Sequence, residues 1–288
     1  MIKILKYFFQ FIILSIFFLI FKILGLSIAS SFSKNIGMFL GPLFRPKKLI
    51  QENIIKAMPN LNNDEIKKII KSMWGNYGRI LSEYMFIKYF RKSNLKNNLQ
   101  VEGQEILEKI KNEDKPVIFI SGHFNNFELM AMQIEKAGIE LSAIYRPLNN
   151  MFLNKTMEKI RIKYICKNQI KKGISGTRQI IKNLKKGSSV ALMIDQRVRE
   201  GSKIKFFGNL ATTTTIPAQI IKKYKCELVP IYIERKNKHY FKMHISKPLN
   251  INSKKTAQDI TLYLNSVLEK MILKNLDQWI WTHDRWKK

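Results

Sequence analysis

Residues 116–130 read PVIFISGHFNNFELM. The apolar run at the start reads as a buried strand, and it ends in Gly122-His123, with a carboxylate following at Glu128. A histidine that merely fills a core needs no acid beside it. A working base needs a partner that fixes its tautomer and steadies its cation. On one regular helix His123 and Glu128 would point to divergent faces. They can cooperate only if His123 sits in a turn and Glu128 in the first turns of the helix behind it. The other reading is a core histidine and a solvated glutamate; the place of His123 at a strand end, after a glycine, favours the working pair.

Outward from this stretch, strand-like and helical runs alternate. PVIFIS is followed by FELMAMQIEKAG, LSAIYR, FLNKTMEKIRIKY, TRQIIKNLKKG and SSVALMI, then by IPAQIIKKY, ELVPIYIER and HYFKMHIS, and the chain closes with a helical stretch over 256–276. The alternation predicts an α/β fold, a mixed sheet flanked by helices. Before it, 61–86 carries Ile66, Ile69, Met73, Trp74, Tyr77, Leu81 and Tyr84 at helical spacing, with Asn63 as the expected N-cap.

The N-terminus adds a different signal. Residues 7–21 (YFFQFIILSIFFLIF) hold no charge, and after Lys22 the apolar character resumes, approaching the roughly 20 residues a spanning helix requires. No cleavage site with a polar mature start follows, so the segment reads as a retained N-terminal membrane helix rather than a signal peptide. The expected organisation is an anchor over 1–33 and one catalytic domain over 34–288. Lys34, Arg45, Lys47 and Lys48 after the anchor outnumber Lys3 and Lys6 before it, which places the body in the cytoplasm by the positive-inside bias. A transverse span and a helix lying in the interface both satisfy these features.

The net charge of +30 favours anionic partners, a membrane surface, a phosphorylated lipid, nucleic acid or an acidic protein, without choosing among them. Interleaved tryptophans and cations in 278–288 (QWIWTHDRWKK) suit an interfacial belt or a core lid equally. No nucleic-acid module accompanies them, so nucleic acid is not an expected partner. Cys166 and Cys226 form neither a metal pattern nor a disulfide framework and read as reduced structural residues. No metal site is expected.

Three further groups stand where strand ends gather chemistry. Arg146 ends a strand before a proline and Arg161 lies on the next helix; guanidinium forks suit phosphate and carboxylate, although either could be an ordinary surface cation. Asp195-Gln196 follows the apolar run SSVALMI, as a helix cap, a loop residue or part of a site. Phe206-Phe207 reads as core or acyl-chain packing, and Thr212 to Thr215 as a helix start able to meet an anion.

The ordered set SGHFNNFE, YRPLNN, the helix bearing Arg161, LKKGSSVALMIDQ, FFG, ATTTT, ELVPIYIER and QWIWTHDRWK resembles the late lauroyl/myristoyl acyltransferases of lipid A biosynthesis over nearly the whole chain. The resemblance implies a glycerophosphate-acyltransferase-like fold and transfer of a fatty acyl group from acyl carrier protein to a hydroxyl of a lipid A precursor. It implies action at the cytoplasmic leaflet of the inner membrane, on anionic membrane lipid, with the acyl-carrier-protein thioester as co-substrate and no bound cofactor. It implies catalytic roles for His123 and Glu128, His123 as base and Glu128 as its orienting acid. Arg146, Arg161, Asp195 and Gln196 would bind substrate, and backbone N–H groups near the Gly122 turn or a helix start would receive the oxyanion. Asn125 stands where members commonly carry glycine, and Phe127 where many carry tryptophan. The segment 176-GTR-178 lacks the glutamate of the glycerophosphate acyltransferases' Glu-Gly-Thr-Arg motif, which argues against that branch. Transfer to another glycolipid, such as a phosphatidylinositol mannoside, and a non-catalytic anionic-lipid binder are the alternatives; only an enzyme needs the His123/Glu128 pair.

Overall fold

The computed structural model describes residues 2–92, 98–252 and 254–287. Seven strands form the main sheet: β1 (Leu99–Glu102), β2 (Ile118–Ser121), β3 (Leu141–Tyr145), β4 (Asn168–Lys171), β5 (Ser189–Met193), β8 (Leu228–Asn237) and β9 (Tyr240–Ile245), in the order β1-β9-β8-β2-β5-β3-β4. Neighbours are parallel except β8 and β9, so the sheet is mixed. A separate hairpin, β6 (Ser202–Phe206) and β7 (Asn209–Thr213), stands outside it. β2 lies in the middle with all four residues buried, as its unbroken apolar run requires. Helices α5 (Gln104–Glu113), α6 (Glu128–Lys136), α7 (Met151–Tyr164), α8 (Ile174–Lys185), α9 (Ile216–Tyr224) and α10 (Ala257–Lys274) flank the sheet. The α/β expectation holds; β1, β4 and the hairpin strands, each only four or five residues long, were not legible as strands.

Ahead of the sheet run α1 (Ile2–Leu40), α2 (Lys47–Ala57), α3 (Asn63–Glu83) and α4 (Ile87–Arg91). Asn62, not Asn63, caps α3: its side chain accepts from the N–H groups of Asp64 and Glu65, and the Glu65 carboxylate reaches back to the Asn62 N–H. α1 breaks at Gly25 (φ 76°, ψ 162°), and its second part packs on α3 through small residues. A Cβ on Gly78 would stand 1.9 Å from the Ser33 carbonyl oxygen, and one on Gly41 would enter the Trp74 ring. The helix continues past residue 33, so its second half belongs to the wall of the body.

Trp279, Trp281 and Trp286 are buried, with Phe206 against Trp279 and Trp286. The C-terminal aromatics are therefore a core lid, not an interfacial belt. Thr212 and Thr213 end β7, and only Thr214 and Thr215 stand at the start of α9. Phe206 is core.

Candidate active site

Strand pairing brings the first two site residues together. Ser121 of β2 lies opposite Met193 of β5, so the residues two places beyond each, His123 and Asp195, leave adjacent parallel strands side by side at their carboxyl ends. His123 Nδ1 is 2.8 Å from Asp195 Oδ1, and the His123 backbone N–H donates to Asp195 Oδ2 at 2.8 Å. Trp279 Nε1 donates to the same Oδ2 at 2.9 Å. Asp195 is fully buried. Burial opposes its charge, but the His123 imidazole and the three donors outweigh it and hold the carboxyl at about 2. Burial likewise disfavours the His123 cation, yet the Asp195 charge and hydrogen bond more than offset this, and the pKa lies above its ordinary value. With Nδ1–H given to Asp195, Nε2 is the basic nitrogen, and the ring lines a cleft.

The expectation that Glu128 holds this imidazole is corrected. Glu128 opens α6 as anticipated, but its Oε1 accepts from Arg161 Nε at 2.8 Å and Nη2 at 2.5 Å. Asp195, read from sequence as a substrate ligand, occupies Nδ1 instead. The physical reason is the sheet: register fixes Asp195 against both the backbone and the ring of His123, whereas a residue in the first turn of α6 is free to face the next helix. Glu128 remains close enough for its charge to favour the imidazolium. The Arg161 guanidinium also lies 5.6 Å from the centre of the Tyr145 ring.

The loop between β2 and α6 is held from two sides. Asn125 N–H donates to the Gln278 carbonyl, and Asn126 Nδ2 donates to Glu83 Oε2, a buried carboxylate gripped by Arg235. Asn125 has φ of +40°, the left-handed region that glycine and asparagine tolerate best, so asparagine can meet this position's demand in place of a glycine. The N–H groups of His123, Phe124 and Asn125 all have protein acceptors, so they are not the oxyanion donors expected near the Gly122 turn.

The cleft measures about 710 Å³. Arg45, Arg146, Lys172 and Arg197 line it without an ion-pair partner among the described residues, and Gln196 lies beside them. Arg45, Lys172 and Arg197 were not singled out from the sequence, where so many cations are scattered that none stands out. Ala131, Ala143, Ile180 and Ala191 supply apolar wall to the same cleft. His283 Nε2 accepts the Arg197 N–H at 2.9 Å. Burial pulls the His283 pKa down to about 4, so the ring is neutral and steadies the loop after Asp195.

A strand-end histidine backed by a buried aspartate, beside a cleft lined by both cations and apolar side chains, is the arrangement of an α/β enzyme site. The chain belongs to the family of bacterial lipid A biosynthesis acyltransferases, which it matches over residues 1–288. It is 23% identical over 261 residues to the lipid A biosynthesis palmitoleoyltransferase of Escherichia coli (strain K12), covering 88% of this chain and 84% of the relative. It is 24% identical over 254 residues to the lipid A biosynthesis lauroyltransferase of the same organism, covering 84% and 79%. A lipid A biosynthesis acyltransferase of Haemophilus influenzae is 22% identical over 268 residues, covering 88% and 84%.

Proposed function

We propose that this protein transfers a fatty acyl group from acyl carrier protein to a hydroxyl of a lipid A precursor at the cytoplasmic face of the inner membrane. The observation that carries the reading is the His123–Asp195 pair facing a cleft that joins unpaired cations to an apolar wall. Nε2 of His123 takes the proton of the acceptor hydroxyl as its oxygen attacks the thioester carbonyl carbon. The carbon–sulfur bond then breaks, the ester remains on the acceptor, and the imidazolium returns its proton to the departing thiolate. Asp195 orients the ring and steadies its cation without taking the proton. No covalent acyl-enzyme, metal or bound cofactor enters this scheme.

Arg146 and Lys172 are suited to acceptor phosphates, and Gln196 to a polar group of the bound substrate. The Glu128–Arg161 pair lines the cleft with the base, and its guanidinium is suited to an anionic group of the substrate. Ala131, Ala143 and Ala191 leave room for the acyl chain. The helix α1 anchors the domain to the membrane, and the basic surface attracts both anionic lipid and an acidic carrier protein.

The test is a transfer assay on the intact, detergent-solubilised chain with one acyl group presented on acyl carrier protein or on coenzyme A, and a lipid A precursor as acceptor. Mass spectrometry should show one added acyl chain, faster from the carrier protein at low salt, with the advantage narrowing as salt rises. His123→Ala should abolish it. Folded wild-type protein that acylates no glycolipid from either donor would remove the reading; equal rates from both donors would remove only the carrier protein.

A further inference from the structure

The apolar stretch of α1 does not stand away from the body. Asn150 Nδ2 donates to the Tyr7 carbonyl at 2.8 Å, and Phe152 packs on the rings of Phe8 and Phe11. Phe21 is buried, and beyond the Gly25 break Ser30 Oγ accepts from the Arg79 guanidinium. Both ends of the helix therefore touch the folded domain. The remaining surface of its first half is uncovered and mostly apolar: Ile2, Leu5, Phe9, Ile13, Ile16, Leu19 and Ile23 are all exposed, with Lys3, Lys6, Gln10 and Lys22 among them.

A transverse span with its start across the bilayer is incompatible with these contacts. Tyr7 precedes the break by 18 residues, about 27 Å of helix, close to the roughly 30 Å of hydrocarbon a bilayer contains. Asn150 and Phe152 would be carried to that depth with α7, which bears Lys155, Glu158, Lys159 and Lys163. Charged groups facing hydrocarbon are strongly disfavoured. Lys22, within α1 itself, would add another.

Resting on the reading of α1 as the membrane element, we infer that α1 lies along the plane of one leaflet, sunk into its acyl layer, with its start and the domain on the same side of the membrane. From Phe8 to Phe21 every exposed residue except Gln10 is apolar, which fits such immersion, and a helix lying in the plane lets the exposed Lys3, Lys6 and Lys22 side chains reach up to the headgroups. Leu148 and Asn149, which line the cleft, immediately precede Asn150. The cleft therefore opens beside residues 7–11 of α1, at the level of the acyl chains. Exposed Leu148 and Met151 continue the apolar surface there, and Arg146, two residues before Leu148, lines the cleft and can meet an anionic headgroup. A lipid can pass sideways from the leaflet into the cleft without leaving its apolar surroundings.

The experiment uses the full-length chain carrying Cys226→Ser, with one added cysteine at exposed Lys3 or, as a body marker, at exposed Lys203. Spheroplasts are treated with a membrane-impermeant maleimide before or after lysis. Both positions should be protected in intact spheroplasts and labelled after lysis. Labelling of Lys3→Cys, but not Lys203→Cys, in intact spheroplasts would overturn the in-plane arrangement while leaving the membrane helix in place. Extraction of the chain by alkaline carbonate would instead overturn the membrane reading, and this inference with it. A nitroxide on Leu148→Cys in anionic vesicles should be relaxed more by oxygen than by an aqueous nickel chelate; the reverse order would remove the lateral opening.

Discussion

His123 and Asp195, 72 residues apart in the chain, are joined twice, once through the imidazole Nδ1 at 2.8 Å and once through the His123 backbone N–H at 2.8 Å. The second bond matters because it fixes the carboxylate relative to the main chain. Trp279 closes the arrangement from the C-terminal segment. The imidazole is thereby held in one orientation and one tautomer before any substrate arrives.

The pH dependence follows from this pair. Because the His123 pKa is raised, the base is free only above that value, and kcat/KM should rise with pH through an acid limb lying above about 6.5. Asp195→Asn removes the charge that raises the pKa but leaves the burial that lowers it. The limb should move to lower pH while the plateau falls by about 10²–10⁴-fold. An unshifted limb in the variant would disconnect Asp195 from the base.

Glu128 and Arg161 are about nine-tenths buried, with side-chain exposures of 10% and 12%. Removing one charge strands the other, so Glu128→Gln should cost about 3 kcal/mol of unfolding free energy. The double variant Glu128→Gln/Arg161→Met should recover part of that loss in urea titrations, with activity low in both. Strictly additive losses would show that the two charges do not depend on each other.

Two glycines of α3 should respond to alanine with opposite signs. Gly78→Ala drives a methyl into the Ser33 carbonyl, which is backbone and cannot move aside, so a loss of about 2 kcal/mol is expected. Gly75→Ala meets only the flexible Lys34 and Met38 side chains, the nearest atom at 3.1 Å. There the helix preference of alanine, about 1 kcal/mol over glycine, should leave stability unchanged or raised. Thermal unfolding in detergent distinguishes the two.

Ala143 lines the apolar wall, and Ala143→Leu should shorten the space available to an acyl chain. Each methylene denied burial is worth about 0.8 kcal/mol, or about fourfold in kcat/KM. Competition between donors of different chain length should shift toward the shorter chain, with little change in the acid limb of the pH profile. An unchanged preference would place the acyl chain elsewhere.

Local chemistry was enough to read much of this protein from its sequence. The unbroken apolar run before Gly122 marked a buried central strand, the helical periodicity of 61–86 marked α3, and the position of His123 at a strand end marked a residue of the cleft. The charge-free stretch 7–21 marked a long apolar helix, the first half of α1. Each of these depends on neighbours within a few residues. What only the tertiary structure decided depends on pairing across the chain. The register of β2 against β5 chose Asp195 over Glu128 as the partner of His123, and the facing of α6 and α7 gave Glu128 to Arg161. The burial of Trp279 and Trp281 turned an ambiguous aromatic tail into a lid over the aspartate. Asn150 and Phe152, unremarkable in sequence, bring α1 down onto the body beside the cleft. Carboxylates and aromatics have the same composition in either arrangement; strand register and helix packing determine which partner each one reaches.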